Sequence, residues 1–230
     1  MGSIGSNLQE VKRRIASACL DAARDANTVT LLAVSKTFGA DAVREALAGG
    51  QSAFGENYVQ EALGKIELLA DLRPQLQWHL IGPLQSNKTR AVAEAFDWVH
   101  TVDRLKIAQR LAEQRPPSLP PLQLCLQVNV SGESSKSGVA PTELPALAAA
   151  VAALPAARVQ LRGLMSIPEP AADPQAQRRP HRLLRDLLVQ LQAQGLAVDT
   201  LSMGMSADLE AAVTEGSTLV RVGSAIFGRR

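Results

Sequence analysis

The stretch VTLLAVSKTFGADAVREALAGGQSAFGE (29–56) decides the fold class. Its apolar run at 29–35 has the composition of a buried parallel strand, residues 40–48 have a helical pattern, and a second strand pattern follows at 52–56. Strands joined by a helix pair in parallel through a right-handed crossover. The stretch therefore predicts one βα unit of an α/β protein and the start of the next.

The same alternation continues to the end of the chain. The later strand patterns lie at 76–81, 97–102, 122–130, 159–167, 198–204 and 217–223. The later helical patterns lie at 57–71, 86–95, 103–114, 141–153 (with Thr142 as capping candidate), 181–194 and 206–214, and a helical stripe from Leu8 to Ala22 precedes the first strand. Eight repeats favour a single (β/α)8 TIM barrel with an extra N-terminal helix. An open doubly wound sheet is the alternative, because periodicity cannot show closure.

Composition limits the classes of function. The chain has 230 residues, 46% of them hydrophobic and 20% charged, and a net charge of +2, so we expect one domain over 1–230 and no nucleic-acid partner. No apolar stretch of about 18 residues or secretory leader is found, so no membrane association is expected. Cys19 and Cys125 lack metal or redox spacing, which predicts buried thiols in the cytoplasm and no metal site. Three histidines and one tyrosine leave few candidates for acid–base catalysis.

In a barrel, the functional residues lie where the strands end, at the C-terminal mouth. Lys36 directly follows the first strand. An amine at that position can attack an aldehyde and form a Schiff base. The alternative is a lysine that simply extends into solvent.

The ends of the last two strands predict a phosphate site. Ser206 is predicted to begin a helix, and Gly223-Ser224 follows the last strand. Barrels frequently bind phosphate with the loops after strands 7 and 8, although an N-cap and a turn alone also explain these residues.

Arg221 lies within the apolar strand TLVRVG, and closure makes this strand a neighbour of the one before Lys36. A buried guanidinium needs an acceptor, which is either a nearby carboxylate or a ligand atom such as a pyridine nitrogen. A lysine amine, a phosphate cradle and an Arg for a ring nitrogen are together the protein groups that hold pyridoxal phosphate (PLP).

The motifs that carry a family resemblance cover almost the whole chain: AVSK (33–36), FGENYVQEA (54–62), WHLIGPLQSNK (78–88), VHTVD (99–103), QVNVSGESSKSG (127–138), GLMSI (163–167), LSMGMSADLEAAV (201–213) and GSTLVRVGSAIFGRR (216–230). They resemble the pyridoxal phosphate homeostasis protein family, whose members are relatives of the alanine racemase barrel. Lys136, in the SSKSG loop, belongs to the family pattern.

The resemblance implies a site for PLP. It places the cofactor in a Schiff base on Lys36, with Arg221 facing the pyridine nitrogen. The other residues that it places around the cofactor are Ser206, Gly223 and Ser224 at the phosphate, and Asn57, Met165 and Ser202 elsewhere, with His79 as a further wall position. It implies no catalytic residue.

The expected function is a carrier that buffers intracellular PLP or delivers it to PLP-dependent apo-enzymes, as a monomer or weak dimer. Racemase relatives bring a tyrosine base from a second C-terminal domain, whereas this sequence ends at Arg230 and its one tyrosine is Tyr58. A PLP-dependent amino-acid racemase is the first alternative. The second is a Schiff-base aldolase acting on phosphosugars, with Lys36 as nucleophile.

Overall fold

The computed structural model describes residues 2–132 and 137–228, so Lys136 lies outside the described residues. Within them, eight parallel strands close into a barrel in the order of the sequence. The strands are β1 (Thr30–Val34), β2 (Ala53–Glu56), β3 (Gln77–Leu80), β4 (Trp98–Val102), β5 (Leu122–Gln127), β6 (Val159–Met165), β7 (Thr200–Ser202) and β8 (Leu219–Val222). The predicted barrel is confirmed, and the open sheet is wrong.

The helices lie between the strands, and the predicted N-terminal helix precedes them. They are α1 (Ile4–Asp21), α2 (Ala40–Ala48), α3 (Val59–Leu68), α4 (Thr89–Ala95), α5 (Leu105–Gln114), α6 (Leu144–Ala152), α7 (Pro174–Ala193), α8 (Leu209–Thr214) and α9 (Ser224–Phe227). Short 3-10 helices occur at Ala26–Thr28, Ala70–Gln75 and Ser86–Lys88. None of the helices in the described ranges is long and apolar enough to cross a membrane.

The helix starts predicted at Ser206 and at Pro141-Thr142 are wrong, because turns precede both helices. Ser206 does not begin a helix: Oδ1 of Asp208 accepts the N–H of Met205 at 2.6 Å, which makes 206–208 a turn, and α8 begins at Leu209. Thr142 is not a cap, because α6 begins only at Leu144. The helix whose best part is predicted at 181–194 is confirmed as the C-terminal part of α7, which begins earlier because Asp173 caps it and Pro174 occupies a first-turn position.

Closure of the barrel brings the first and last strands together. β1 pairs with β2 on one side and with β8 on the other, and Leu32 lies in register with Arg221. The loop that carries Lys36 and the loops after β7 and β8 therefore lie at the same C-terminal mouth.

The core has an outer and an inner part, because successive strand residues face opposite sides of the barrel wall. Between strands and helices lies one large apolar cluster that includes Phe54 and Trp78. Two smaller apolar clusters are separate from it. One consists of Leu32, Val34, Ala53, Ile81 and Leu219, and the other of Trp98, Cys125 and Met165. The strands also carry buried polar residues, including His79 on β3, His100 on β4 and Ser202 on β7.

Candidate functional site

A cavity of about 520 Å³ opens at the C-terminal mouth of the barrel. Its lining residues are Val34, Lys36, Asn57, Ile81, Ile167, Met205, Ser206, Ala207, Arg221, Gly223 and Ser224. Six of the eight predicted cofactor residues are thus brought together here. The other two, Met165 and Ser202, are fully buried and are not part of the lining.

Lys36 lies at the mouth because β1 ends two residues before it. The N–H of Ser35 donates to the carbonyl oxygen of Gly55 at 3.0 Å. Thr37 has a φ of 67°, in the left-handed region that a β-branched residue rarely adopts, and its N–H donates to Oε1 of Glu61 at 2.6 Å. The backbone is therefore held on both sides of Lys36, whose side chain is exposed.

A buried ammonium group, that of Lys65 on α3, anchors the same segment. Its Nζ donates to the carbonyl oxygen of Ser35 at 2.8 Å, to Oε1 of Glu56 at 2.6 Å and to Oε1 of Glu61 at 3.2 Å. These bonds use all three hydrogens of the ammonium group. Ser35 directly precedes Lys36, and Glu61 also accepts the N–H of Thr37, which follows Lys36. Lys65 therefore helps to fix the backbone from which Lys36 extends.

Glu56 is the buried counter-ion of Lys65. Its side chain is fully buried, and its Oε1 also accepts the hydroxyl of Ser35 at 2.6 Å. Burial raises the pKa of Glu56, and the charge of Lys65 and the hydrogen bonds from Lys65 and Ser35 offset part of that increase. The pair is thus a compact, mutually dependent ionic unit below the mouth.

Arg221 lies in the cavity wall and is only 4% exposed. Its Nη1 donates to the carbonyl oxygen of Ser202 at 2.6 Å and to Oγ of Ser202 at 2.9 Å, and its Nη2 donates to the carbonyl oxygen of Ser166 at 2.8 Å. No carboxylate in the described ranges forms an ion pair with it, so the carboxylate alternative is wrong. Burial lowers the pKa of Arg221 to about 10, and it remains cationic at neutral pH.

Part of the Arg221 guanidinium is left for a ligand. Its three hydrogen bonds use both hydrogens of Nη1 and one of Nη2. Within the described part of the chain, the Nε hydrogen and the second Nη2 hydrogen make no hydrogen bond. Arg221 can therefore donate to an acceptor inside the cavity.

The loop after β7 is anchored from three directions. Oδ1 of Asp208 accepts the N–H of Met205, Oδ2 of Asp208 contacts Nε2 of His181 at 3.0 Å, and Nη2 of Arg14 donates to the carbonyl oxygen of Ser206 at 3.1 Å. Burial raises the pKa of Asp208, but these hydrogen bonds from His181 and Met205 and the charges of His181 and Arg221 lower it below its usual value overall. Asp208 thus holds this loop as a carboxylate.

Free backbone donors line this side of the cavity. The N–H groups of Ser206, Ala207 and Ser224 donate no hydrogen bond within the ranges that the structure describes. Gly223 lies beside them, and a Cβ on it would lie 3.1 Å from the carbonyl oxygen of Val34 and 3.3 Å from its Cβ. Unpaired N–H groups in a compact loop are a binding surface for an anion such as phosphate.

Asn57 contributes an unsatisfied polar atom to the lining. Its Oδ1 is buried and has no hydrogen-bond partner among the described residues, and such an atom is usually paired in a native protein. Tyr58, the next residue, is 56% exposed and is not part of the lining.

Several residues that shape the cavity or anchor its loops are not evident from the sequence pattern. Lys65 and Glu61 were not singled out, because a helical pattern does not show that two charged side chains turn inward to one loop. Ile81, Ile167 and Met205 supply apolar lining. Their positions at the ends of predicted strands, Ile81 and Ile167 as last residues and Met205 directly after, are the signal that points to them.

The whole chain matches a known family. Residues 6–230 match the family model described as alanine racemase, N-terminal domain. Over 230 residues the chain is 63% identical to the pyridoxal phosphate homeostasis protein of Pseudomonas aeruginosa, covering 100% of this chain and 97% of that protein. The chain belongs to the pyridoxal phosphate homeostasis protein family. The family member of Escherichia coli is 52% identical over 231 residues, covering 100% of this chain and 98% of that protein.

Solved structures agree with this family assignment, which confirms the predicted resemblance. PipY of Synechococcus elongatus with PLP bound has a TM-score of 0.85 at 38% identity, covering 98% of this chain and 100% of that chain. Alanine racemase from Corynebacterium glutamicum has a TM-score of 0.68 at 18% identity, covering 99% of this chain and 61% of that chain. The racemase therefore shares the barrel fold with the pyridoxal phosphate homeostasis proteins.

Proposed function

We propose that this protein binds PLP in the cavity at the mouth, attached to Lys36 through a Schiff-base linkage, and that it buffers PLP and passes it to apo-enzymes in the cytoplasm. One observation carries the proposal: an exposed lysine amine, a cationic Arg221 with unused donors and a set of free loop N–H groups converge on one cavity. PipY, a relative that shares the fold, was solved with PLP bound.

The residues of the cavity fit the chemical groups of PLP. When bound, PLP supplies an aldehyde carbon, a pyridine nitrogen and a phosphate group. The amine of Lys36 is the nucleophile for the aldehyde, and the free hydrogens of Arg221 suit the ring nitrogen as an acceptor. The N–H groups of Ser206, Ala207 and Ser224 suit the phosphate, and Oδ1 of Asn57 remains to accept a donor from the ligand.

The charges in the cavity favour holding PLP over turning over a substrate. Among the described lining residues, the titratable side chains are Lys36 and Arg221. Arg221 is cationic at neutral pH and cannot accept a proton. Racemisation needs a base on each face of the substrate, and Lys36 supplies one. The curated relatives are named homeostasis proteins, which supports the carrier role.

The first test is the site of attachment. Purified protein is mixed with PLP, reduced with borohydride and digested, and the peptides are analysed by mass spectrometry. We expect the adduct on Lys36 and its loss in Lys36→Ala, with a free energy of unfolding within about 0.5 kcal/mol of wild type because the side chain is exposed. Lys88→Ala is the matched control, since the one hydrogen bond of the Lys88 side chain within the described ranges is to Oε1 of the exposed Gln60. A wild-type adduct on another lysine contradicts the assignment.

The second test separates the carrier from the two enzymes. Loaded protein is incubated with an apo-enzyme that requires PLP, and in parallel with single enantiomers of several amino acids. Activation of the apo-enzyme without racemisation supports the carrier, whereas steady racemisation contradicts it. A protein that takes up no PLP but cleaves phosphosugars is the aldolase.

A further inference from the structure

A chain of hydrogen bonds crosses the inside of the barrel and ends at Arg221. It begins at the exposed residue Gln77, whose Oε1 lies 3.0 Å from Nε2 of His79. Nδ1 of His79 lies 2.9 Å from Nε2 of His100, and Nδ1 of His100 lies 2.8 Å from Oγ of Ser202. Oγ of Ser202 accepts from Nη1 of Arg221 at 2.9 Å. We call these five side chains the relay.

The donors and acceptors of the relay fix its direction. A guanidinium only donates, so Oγ of Ser202 is an acceptor toward Arg221 and its single hydrogen is free to donate to Nδ1 of His100. The other end of the relay decides the tautomers of neutral rings. Oε1 of Gln77 only accepts, so His79 carries its hydrogen on Nε2 and its Nδ1 accepts from Nε2 of His100. Nδ1 of His100 then accepts the hydroxyl hydrogen of Ser202. Each member thus donates to the next, from Arg221 down to Gln77.

This pattern requires both imidazoles to be neutral, because each ring accepts one hydrogen bond and donates another. Burial lowers the pKa of His79 to about 3. Burial, with the nearby His79 and Arg221, lowers the pKa of His100 well below its usual value. The ring of Trp98 stacks on His79 with centroids 5.3 Å apart and planes 8° from parallel.

We propose that His100 and His79 are positioning residues that fix the hydroxyl of Ser202 and, through it, the orientation of the Arg221 guanidinium. Ser202 uses both its carbonyl oxygen and its hydroxyl on Nη1, so these bonds determine which hydrogens of Arg221 remain for the cavity. The effect of the relay on a bound ligand rests on the proposed PLP site, whereas its effect on Arg221 belongs to the ligand-free protein.

The first experiment uses the ligand-free protein. In ¹⁵N NMR spectra of labelled imidazoles at pH 7, we expect His79 and His100 to be neutral with the hydrogen on Nε2. An imidazolium, or a hydrogen on Nδ1, in either ring overturns the direction of the relay. Gln77→Leu removes the terminal acceptor at an exposed position, and we expect the Nε2 resonance of His79 to shift while the fold persists. Ser202→Ala breaks the link to Arg221, and we expect the Nε resonance of Arg221 to shift.

The second experiment adds PLP and measures its affinity and its absorption spectrum in the bound state. For His100→Phe, which keeps the ring volume but removes both nitrogens, we expect a roughly tenfold loss of affinity and a shifted absorption maximum. Trp98→Phe alters the packing on His79 without removing a relay hydrogen bond, and we expect it to stay within about twofold of wild type. If His100→Phe does not fold, Ser202→Ala tests the same link, and Ser202→Thr, which retains the hydroxyl, restores the wild-type values.

The two proposals fail in different ways. Wild-type protein that takes up no PLP contradicts the proposed function, while the resonances of His79, His100 and Arg221 still decide the relay. Wild-type binding with unchanged affinity, spectrum and Arg221 resonance in Ser202→Ala and His100→Phe overturns the positioning role.

Discussion

Two buried cations lie near the mouth of the barrel, and they differ in how their charge is compensated. Lys65 donates to two carboxylates and a carbonyl oxygen, which uses all its hydrogens, and it is not part of the cavity lining. Arg221 donates to neutral oxygens of Ser202 and Ser166, retains unused hydrogens and lines the cavity. Both side chains are 4% exposed.

The difference distinguishes a structural cation from one available to a ligand. A buried charge is costly unless it is paired or hydrogen-bonded. All three ammonium hydrogens of Lys65 are bonded within the protein, so replacing Lys65 should mainly lower the free energy of unfolding. Arg221 uses three of its five guanidinium hydrogens in bonds to the described residues, so replacing Arg221 should mainly lower the affinity for PLP.

The largest expected effect is the loss of stability in Lys65→Met. This variant leaves the buried carboxylate of Glu56 without its cationic partner, and breaking a buried ion pair in this way costs about 3–5 kcal/mol. Chemical denaturation of the ligand-free protein measures the change. Lys88→Met is the matched control, because Lys88 is half-buried and its side chain forms one hydrogen bond among the described residues, to the neutral Oε1 of Gln60. A cost similar to that of the control would show that Lys65 does not carry the ion pair.

Arg221→Met should show the opposite balance. It removes a charged donor from the cavity, so we expect PLP affinity to fall by roughly 100-fold, the equivalent of about 3 kcal/mol. It leaves neutral oxygens behind and no unpaired ion, so we expect a smaller loss of stability than in Lys65→Met. Equilibrium titration with PLP and denaturation of the ligand-free variant measure the two quantities. The comparison of the two cations is wrong if Lys65→Met loses more affinity than Arg221→Met.

The smallest effect is a pH dependence from the relay beside Arg221. The pKa of His79 is about 3 in the folded protein against an ordinary value of 6.5, so the unfolded chain binds its proton first as the pH falls. The contribution of neutral His79 to the free energy of unfolding is therefore complete above pH 6.5 and is lost as the pH falls toward 3. The free energy of unfolding changes by at most about 1.4 kcal/mol per pH unit for each such histidine. Denaturation between pH 5 and 6.5 measures it.

The control for this dependence is a variant that lacks the titrating group. Between pH 5 and 6.5, His79→Phe should reduce the slope of the free energy of unfolding against pH by the contribution of one histidine. Trp98→Phe should leave this slope unchanged. An unchanged slope in His79→Phe would mean that His79 is protonated in the folded protein.

Much of this architecture was accessible from the sequence, because it is local and periodic. Apolar runs alternating with helical stripes predicted the barrel, and the rule that sites lie where strands end brought Lys36, Arg221 and Gly223 to one mouth. Ser206 reaches the cavity although the helix start predicted for it is wrong, because the turn made by Asp208 places it there.

The contacts across the barrel were not accessible from the sequence. Periodicity shows that His79 and His100 lie on neighbouring strands. Whether the two rings meet each other, and whether His100 also reaches Ser202, depends on strand register. The same limit applies to Lys65, whose pairing with Glu56 depends on how α3 packs against the barrel. Met165 and Ser202 were expected beside the cofactor, and their burial beneath the cavity reflects the depth at which β6 and β7 end.

The anchored backbone around Lys36 has an entropic consequence. Ser35 is tied to Gly55 and Lys65, and Thr37 is tied to Glu61 in a backbone conformation that few threonines adopt. The conformational entropy of this segment is thus lost when the protein folds. A ligand that attaches to the amine orders only the lysine side chain, at a cost of about 2 kcal/mol. Capture and release can therefore proceed without refolding the loop.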